Sequence, residues 1–70
     1  MNSGKNVMSR IEESELARKI KELRSKLGLT QEQFAAKVGV TFSTVNRWEN
    51  GKGKPSPLAM RQIEELMERT

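Results

Sequence analysis

The chain has 70 residues and a mass of 8.0 kDa, which suffices for one small domain or a fragment of a larger protein and excludes a multi-domain enzyme. Apolar residues make up 34% of the sequence and three are aromatic, so the chain can bury one modest core. Thirteen basic residues against nine acids give a net charge of +4, which favours a polyanionic partner. The basic excess lies in residues 1–54, because residues 55–70 carry two basic and three acidic side chains.

Several residue types are missing from the sequence. There is no Cys and no His, and every acid is Glu, which excludes disulfides, the usual zinc sites and the commonest general base. We therefore expect a protein that is not an enzyme, with no cofactor and no small-molecule ligand. No apolar run approaches the roughly 18 residues of a membrane span, and no secretory signal opens the chain. The expected location is the cytoplasm, without a membrane partner.

The first predicted helix follows a polar start. Residues 1–8 have no hydrophobic period, so we expect a disordered N-terminal arm there and a single domain over 9–70. Ser9 with Glu12 fits a capping box, which predicts a helix over 10–27. Its apolar stripe, spaced by four, three and four residues, comprises Leu16, Ile20, Leu23 and Leu27.

Two short helices are predicted next, after a stop at Gly28. Thr30 with Gln33 repeats the capping pattern, and the inner face of the second helix carries Phe34, Ala35 and Val38. This helix ends before Gly39, which allows the positive φ of a tight turn. Thr41 can cap a third helix that stops at Asn50 and Gly51, with an inner face of Val45 and Trp48.

The last predicted helix begins after a loop of Gly, Lys and Pro over 51–55. Ser56 is its cap, Pro57 lies in its first turn, and its apolar stripe comprises Ala59, Ile63, Leu66 and Met67. A partly overlapping set on this helix is a candidate dimer surface: Leu58, Met60, Leu66 and Met67. No segment alternates with period two, so we predict an all-α fold, a compact bundle of four or five short helices around one core.

The outward face of the third helix carries the most informative side chains. With Val45 and Trp48 turned inward, this outward face consists of Phe42, Ser43, Asn46 and Arg47, which include no acid. An α-helix fits the DNA major groove, where Arg can read guanine, Asn adenine, and an apolar ring a thymine methyl. The alternative is an ordinary polar surface helix, which leaves an exposed Phe42 unexplained.

Three motifs carry a resemblance to a known family. They are Leu29-Thr-Gln-Glu-Gln-Phe-Ala35, Val38-Gly-Val-Thr41 and Arg47-Trp-Glu-Asn-Gly51. Over about residues 14–67 the chain resembles the Cro/phage-repressor (xenobiotic response element) family of helix-turn-helix DNA-binding domains. The resemblance implies a lambda-repressor-like fold in which the second and third helices form the motif and the third, about 42–50, enters the major groove.

The resemblance also implies roles for individual residues. It implies base contacts by Phe42, Ser43 and Arg47, with Asn46 as a further candidate, and a structural ion pair between Arg24 and Glu49. For Arg24 and Glu49 the alternative is two separate surface charges. It implies phosphate contacts by Thr30, Gln31, Asn50, Lys52 and Lys54. Elementary physics favours these phosphate contacts too, because a helix N-terminus offers free amides and lysines in a Gly-rich loop can follow the DNA backbone. For Lys52 and Lys54 the alternative is a solvated loop, and Gln31 could instead complete a capping network.

Two classes of function stay open. The first is sequence-specific binding of double-stranded DNA by a small transcriptional regulator, a repressor, which pairs with a second copy on DNA because one helix reads few base pairs. The second is a protein-interaction module of the same fold, either an antitoxin or a coactivator adaptor. The Glu-rich fourth helix supports it, as does the expected lack of a separate effector domain. A catalytic role has only Glu12, Glu13 and Glu15 to rest on, and the helix dipole already explains these acids.

Overall fold

We analysed a computed structural model of the chain, in which residues 13–69 are described. These residues form four helices and no strand: α1 (Glu13–Leu27), α2 (Gln31–Val38), α3 (Phe42–Glu49) and α4 (Pro57–Glu68). The predicted all-α bundle is thereby confirmed. The arm over 1–8, the cap formed by Ser9 and Glu12, and a helix start at residue 10 all lie outside the described residues.

The predicted caps of α2, α3 and α4 are confirmed. Thr30 Oγ1 accepts a hydrogen bond from the Gln33 amide at 3.1 Å, and Gln33 Oε1 accepts one from the Thr30 amide at 2.9 Å, which completes a capping box. Thr41 Oγ1 and Ser56 Oγ each accept from the amide three residues later, at 3.2 Å. Each cap satisfies a backbone amide that the helix itself leaves without a partner.

The turn between α2 and α3 depends on Gly39. This glycine has a φ of +85°, in the left-handed region, and its amide donates to the Ala35 carbonyl at 2.8 Å. The Val40 amide donates to the same carbonyl at 2.9 Å, and the Val40 side chain packs against the core. The chain therefore reverses within a few residues and sets α3 against α2.

All four helices contribute to one core. Its buried side chains are Leu16, Ala17, Ile20, Leu23, Phe34, Ala35, Val38, Val45, Trp48, Ala59 and Ile63. The inner faces predicted for α2 and α3 are buried as expected. Among residues 13–69, no helix is both long enough and apolar enough to cross a membrane.

The prediction for α4 was partly wrong. Met67 was assigned to the buried stripe, but 39% of it is exposed. Met60 and Leu66 were expected to be partly spare for a dimer, and both are half-buried and pack against the core. Of that surface, Leu58 is the most open, with 69% exposed. The stripe is narrower than the sequence indicates, because α4 packs mainly through Ala59 and Ile63.

Candidate nucleic-acid interface

The helix α3 has one buried and one open side, and the open side carries the candidate base contacts. Val45 and Trp48 are buried in the core. Of the outward face, Ser43 and Arg47 are exposed and Asn46 is half-buried. Phe42 is 47% exposed, at the N-terminus of the helix. An apolar ring, a hydroxyl and a guanidinium are therefore available to a ligand along one helix side.

The one acid of α3, Glu49, is turned away from this side and pairs with Arg24 of α1. Arg24 Nε donates to Glu49 Oε2 at 2.7 Å, and Arg24 Nη2 donates to Glu49 Oε1 at 2.9 Å, in a bidentate arrangement. The Glu49 side chain is 2% exposed and that of Arg24 is 24% exposed. Arg24 Nη1 also donates to the Leu29 carbonyl, at 3.1 Å. The pair thus ties α1 and its end to the last turn of α3.

Both members of the pair are held in their charged forms. Burial by itself raises the pKa of Glu49, but hydrogen bonds from Arg24 and Gln31, with the positive charges of Arg24 and Lys21, hold it below its usual value. The hydrogen bond to Glu49 raises the pKa of Arg24 against the opposing effect of burial, and the Glu49 charge adds to the rise. The negative charge of Glu49 is thereby compensated inside the fold.

Three side-chain amides, from α2, α3 and the residue after α3, extend the hydrogen bonding of this pair. Gln31 Nε2 donates to Glu49 Oε1 at 2.8 Å, Asn46 Nδ2 donates to Gln31 Oε1 at 3.2 Å, and Asn50 Nδ2 donates to Asn46 Oδ1 at 3.0 Å. We call Arg24, Gln31, Asn46, Glu49 and Asn50 the polar network. Its members come from α1, α2, α3 and the residue after α3, so it joins elements that are separate in sequence.

Of the polar network, the sequence indicated only the pairing of Arg24 with Glu49 and gave no sign of the bonds that join Gln31, Asn46 and Asn50. Gln31 was assigned to phosphate and Asn46 to base edges, and nothing indicated that these two side chains bond to each other. They lie 15 residues apart, and their contact depends on how α2 crosses α3. No periodic signal along the chain reports such a contact.

The loop after α3 is joined to the helix through Arg47. Arg47 Nη2 donates to the Lys52 carbonyl at 3.2 Å, and the Lys52 amide donates to the Arg47 carbonyl at 2.8 Å. A Cβ added at Gly53 would lie 3.3 Å from Arg47 Nη2, so the glycine leaves room for the guanidinium. The side chains of Lys52 and Lys54 are exposed. Three cationic groups therefore cluster at the C-terminal end of α3.

A second group of donors lies at the start of α2. Thr30 is exposed and Gln31 is half-buried. The first backbone hydrogen bond of this helix runs from the Phe34 amide to the Thr30 carbonyl, at 2.9 Å, so the amides of Gln31 and Glu32 precede it. These amides stand at the positive end of the helix dipole, which favours an anion. Since Gln31 bonds to Asn46, this group lies beside the outward face of α3.

A family model described as "Helix-turn-helix" matches residues 20–70, which is more than half of the chain. An uncharacterized HTH-type transcriptional regulator of Methanothermobacter thermautotrophicus is 46% identical over 44 residues, 63% of this chain and 64% of its own length. Another, of Archaeoglobus fulgidus, is 50% identical over 38 residues, 54% of each chain.

A third relative is a larger protein. The HTH-type transcriptional activator BcrR of Enterococcus faecalis is 37% identical over 49 residues, which cover 70% of this chain and 24% of the relative. The matches thus span between 24% and 64% of the length of these curated relatives. No solved structure gives a significant match.

Proposed function

The chain belongs to the Cro/repressor type of helix-turn-helix family, and on that premise we propose that it binds double-stranded DNA sequence-specifically and regulates transcription. One observation carries the proposal. The outward face of α3 is open and without an acid, while the acid of that helix is buried and compensated by Arg24. An uncompensated carboxylate on this face would repel the phosphates that line the groove.

Base edges, in this proposal, meet Phe42, Ser43 and Arg47, with Asn46 as a further candidate. Arg47 has the donors for a bidentate contact to guanine, and Phe42 suits the methyl group of thymine. The bond from Arg47 to the Lys52 carbonyl uses one of its five donors, so most of the guanidinium stays available.

Phosphates, in the same proposal, meet two groups of residues that flank the outward face: Thr30 and Gln31 on one side, and Asn50, Lys52 and Lys54 on the other. The first group combines a hydroxyl and an amide with the N-terminus of α2. The second offers two exposed lysines in a loop that is fixed to α3. Contacts of this kind fix the register on DNA and carry no sequence information by themselves.

Two copies are proposed to act together on DNA. A single short helix contacts only a few base pairs, and pairing doubles the number read. Two α3 helices would then lie roughly 34 Å apart, one turn of DNA. Leu58, which is 69% exposed on α4, is the apolar side chain that supports such pairing best.

We further propose that the chain represses rather than activates, and that it works in the cytoplasm where chromosomal DNA is read. Occupying a promoter excludes polymerase and needs no surface beyond the DNA interface. A reporter gene under a bound promoter would show lower expression when the chain is present. Higher expression would reverse this assignment and agree with the activator named among the relatives.

The experiment that tests DNA binding begins with a selection of bound sequences from random DNA. The selected site then serves in band-shift titrations with Arg47→Ala and, as a matched basic variant, Lys54→Ala. We expect Arg47→Ala to relax the preference at one base pair by about 1 to 3 kcal/mol, and Lys54→Ala to weaken all sequences alike with a flatter salt dependence. Unchanged preference in Arg47→Ala would remove Arg47 from the base contacts.

A protein-interaction role is the second candidate, and the exposed side of α4 favours it. Besides Leu58, this helix exposes three acids against one base, Arg61; the acids are Glu64, Glu65 and Glu68. Such a surface suits a protein partner and repels DNA. A stable complex with a partner protein, together with the absence of salt-dependent DNA affinity, would favour this role over the first.

A further inference from the structure

Each hydrogen bond of the polar network has a defined donor and acceptor, and Glu49 determines this direction. An ionised carboxylate can only accept hydrogen bonds, so Gln31 must turn its Nε2 toward Glu49 Oε1, 2.8 Å away. The oxygen of the same amide then faces Asn46, which must offer its Nδ2, at 3.2 Å. The charge of one buried residue therefore favours one orientation of each amide over the orientation rotated by half a turn, and the bond from Asn46 holds Gln31 in the favoured one.

The orientation of Asn46 in turn determines its contact with Asn50. With Nδ2 of Asn46 directed at Gln31, the oxygen of Asn46 faces outward along the helix and accepts from Asn50 Nδ2 at 3.0 Å. Asn50 Nδ2 also donates to the Asn46 carbonyl at 2.8 Å. Asn46 is thus bound at both ends of its side-chain amide, with Gln31 on one side and Asn50 on the other.

The two hydrogen bonds of the Asn46 side chain bear on base recognition. To read adenine in the bidentate manner, an asparagine must present both its Nδ2 and its Oδ1 to one base. In Asn46 these atoms already bond to two different residues. A bidentate contact by Asn46 would have to use the second hydrogen of Nδ2 and the second lone pair of Oδ1, in a geometry that the bonds to Gln31 and Asn50 already restrict.

The hydrogen bonds of the Asn46 side chain also bear on phosphate binding. Gln31 Nε2 uses one hydrogen on Glu49, which leaves its second hydrogen for an anion at the start of α2. If the Gln31 amide rotated by half a turn, its oxygen would replace that donor and would repel a phosphate. The donor that Asn46 supplies to Gln31 Oε1 disfavours this rotation.

We propose that Asn46 is a positioning residue: it holds the Gln31 side chain with a donor toward a DNA phosphate, and it does not select a base. This inference rests on the proposed function and deepens it. Among the four residues of the outward face, Asn46 then serves affinity for DNA of any sequence. Phe42, Ser43 and Arg47 alone determine which sequence is preferred.

The test compares Asn46→Leu, which keeps the number and branching of the side-chain heavy atoms and removes the polar ones, with Arg47→Ala. Both are titrated against the selected site and its single-base variants. We expect Asn46→Leu to weaken binding by about fivefold on every sequence, as for the loss of one hydrogen bond, with an unchanged order of preference. We expect no comparable loss when Asn46→Leu is added to Gln31→Ala, because the residue that it positions is then absent.

A second measurement follows Gln31 itself in the absence of DNA. The side-chain amide signals of Gln31 in a ¹⁵N–¹H spectrum should shift in Asn46→Leu, while backbone signals of α4 stay in place. That readout separates a local reorientation from a loss of folding.

Four outcomes would overturn the inference, in distinguishable ways. Relaxed preference at one base pair in Asn46→Leu would make Asn46 a base contact and leave the proposed function standing. Absence of salt-dependent DNA affinity in the unaltered chain would overturn the positioning role and the proposed function together. Unshifted Gln31 signals, or equal losses in the Gln31→Ala and unaltered backgrounds, would also overturn the inference, because Asn46 would then not act through Gln31.

Discussion

The helices α3 and α4 are attached to the same core by different means. α3 is attached through Val45 and Trp48 and also through the polar network, which reaches α1 and α2. α4 is attached through Ala59 and Ile63, with Met60 and Leu66 packed against the core at its margin. Apolar contact is tolerant of small shifts, whereas a chain of hydrogen bonds requires defined distances and angles.

The difference indicates that the attachment of α4 serves stability and that of α3 serves orientation. Burial of apolar side chains supplies most of the stability of a small domain. A buried ion pair adds little net stability but fixes orientation, since a misplaced partner leaves an unpaired charge. We therefore expect changes in α4 to act on folding, and changes in the polar network to act on how α3 is presented.

The largest effect should come from α4. Ile63 is fully buried, and Ile63→Ala removes its contacts and leaves a cavity, so we expect a loss of about 3 kcal/mol in the free energy of unfolding. Urea denaturation followed by circular dichroism measures it. Leu58→Ala is the matched control on the same helix, since Leu58 is exposed, and should change stability by less than about 0.5 kcal/mol. Equal losses in the two variants would contradict the packing described here.

A smaller loss should follow from breaking the ion pair on one side. Glu49→Ala leaves Arg24 without its carboxylate partner, and since Arg24 keeps some contact with water we expect a loss of about 2 kcal/mol. The double variant Arg24→Leu with Glu49→Leu should lose less than Glu49→Ala alone, because no charge is then left unpaired. A larger loss in the double variant would mean that the pair itself is a main source of stability.

The next largest loss of stability should follow a substitution in the turn that joins α2 to α3. Gly39 has a φ of +85°, and a Cβ there would meet no atom within 4 Å, so Gly39→Ala costs only backbone strain, about 1 kcal/mol. Gly53→Ala is the comparison, because Gly53 has no positive φ and its Cβ would touch only the flexible end of Arg47. Thermal unfolding should separate the two, with Gly53→Ala close to the unaltered chain.

The smallest effect should be the change with pH in the free energy of unfolding that the ionisation of Glu49 contributes. Because the pKa of Glu49 is lower in the folded chain than in the unfolded one, its stabilising contribution is complete above the unfolded pKa of about 4.3. It is lost as the pH falls through the lower, folded pKa. The stability gap between the unaltered chain and Glu49→Gln should therefore narrow on acidification, and urea titrations at a series of pH values would show a constant gap if Glu49 were not held ionised.

Local signals in the sequence were sufficient for the helices. Thr30, Thr41 and Ser56 cap helices in the structure because a short hydroxyl side chain bonds to an amide three residues later, which involves no distant part of the chain. Gly39 ends α2 for an equally local reason, the cost of a left-handed conformation for other residues. Periodicity was less reliable for α4, where it marked Met67 as buried although the core ends one turn earlier.

In the candidate site, too, some features follow from local sequence signals and others only from packing. That Phe42, Ser43 and Arg47 face away from Val45 and Trp48 follows from helical periodicity alone. The bond between Gln31 and Asn46 and the closeness of Gly53 to Arg47 do not, since each depends on a crossing angle or a loop path that only packing determines.

The sequence by itself thus determined the caps that begin α2, α3 and α4, the side of α3 that faces outward and the family, because each of these is encoded over a few neighbouring residues. Only the tertiary structure decided the direction of the polar network and the place of Asn46 in it. That direction originates in a carboxylate buried by α1, and a charge acts on the amides around it through space, whatever their separation along the chain.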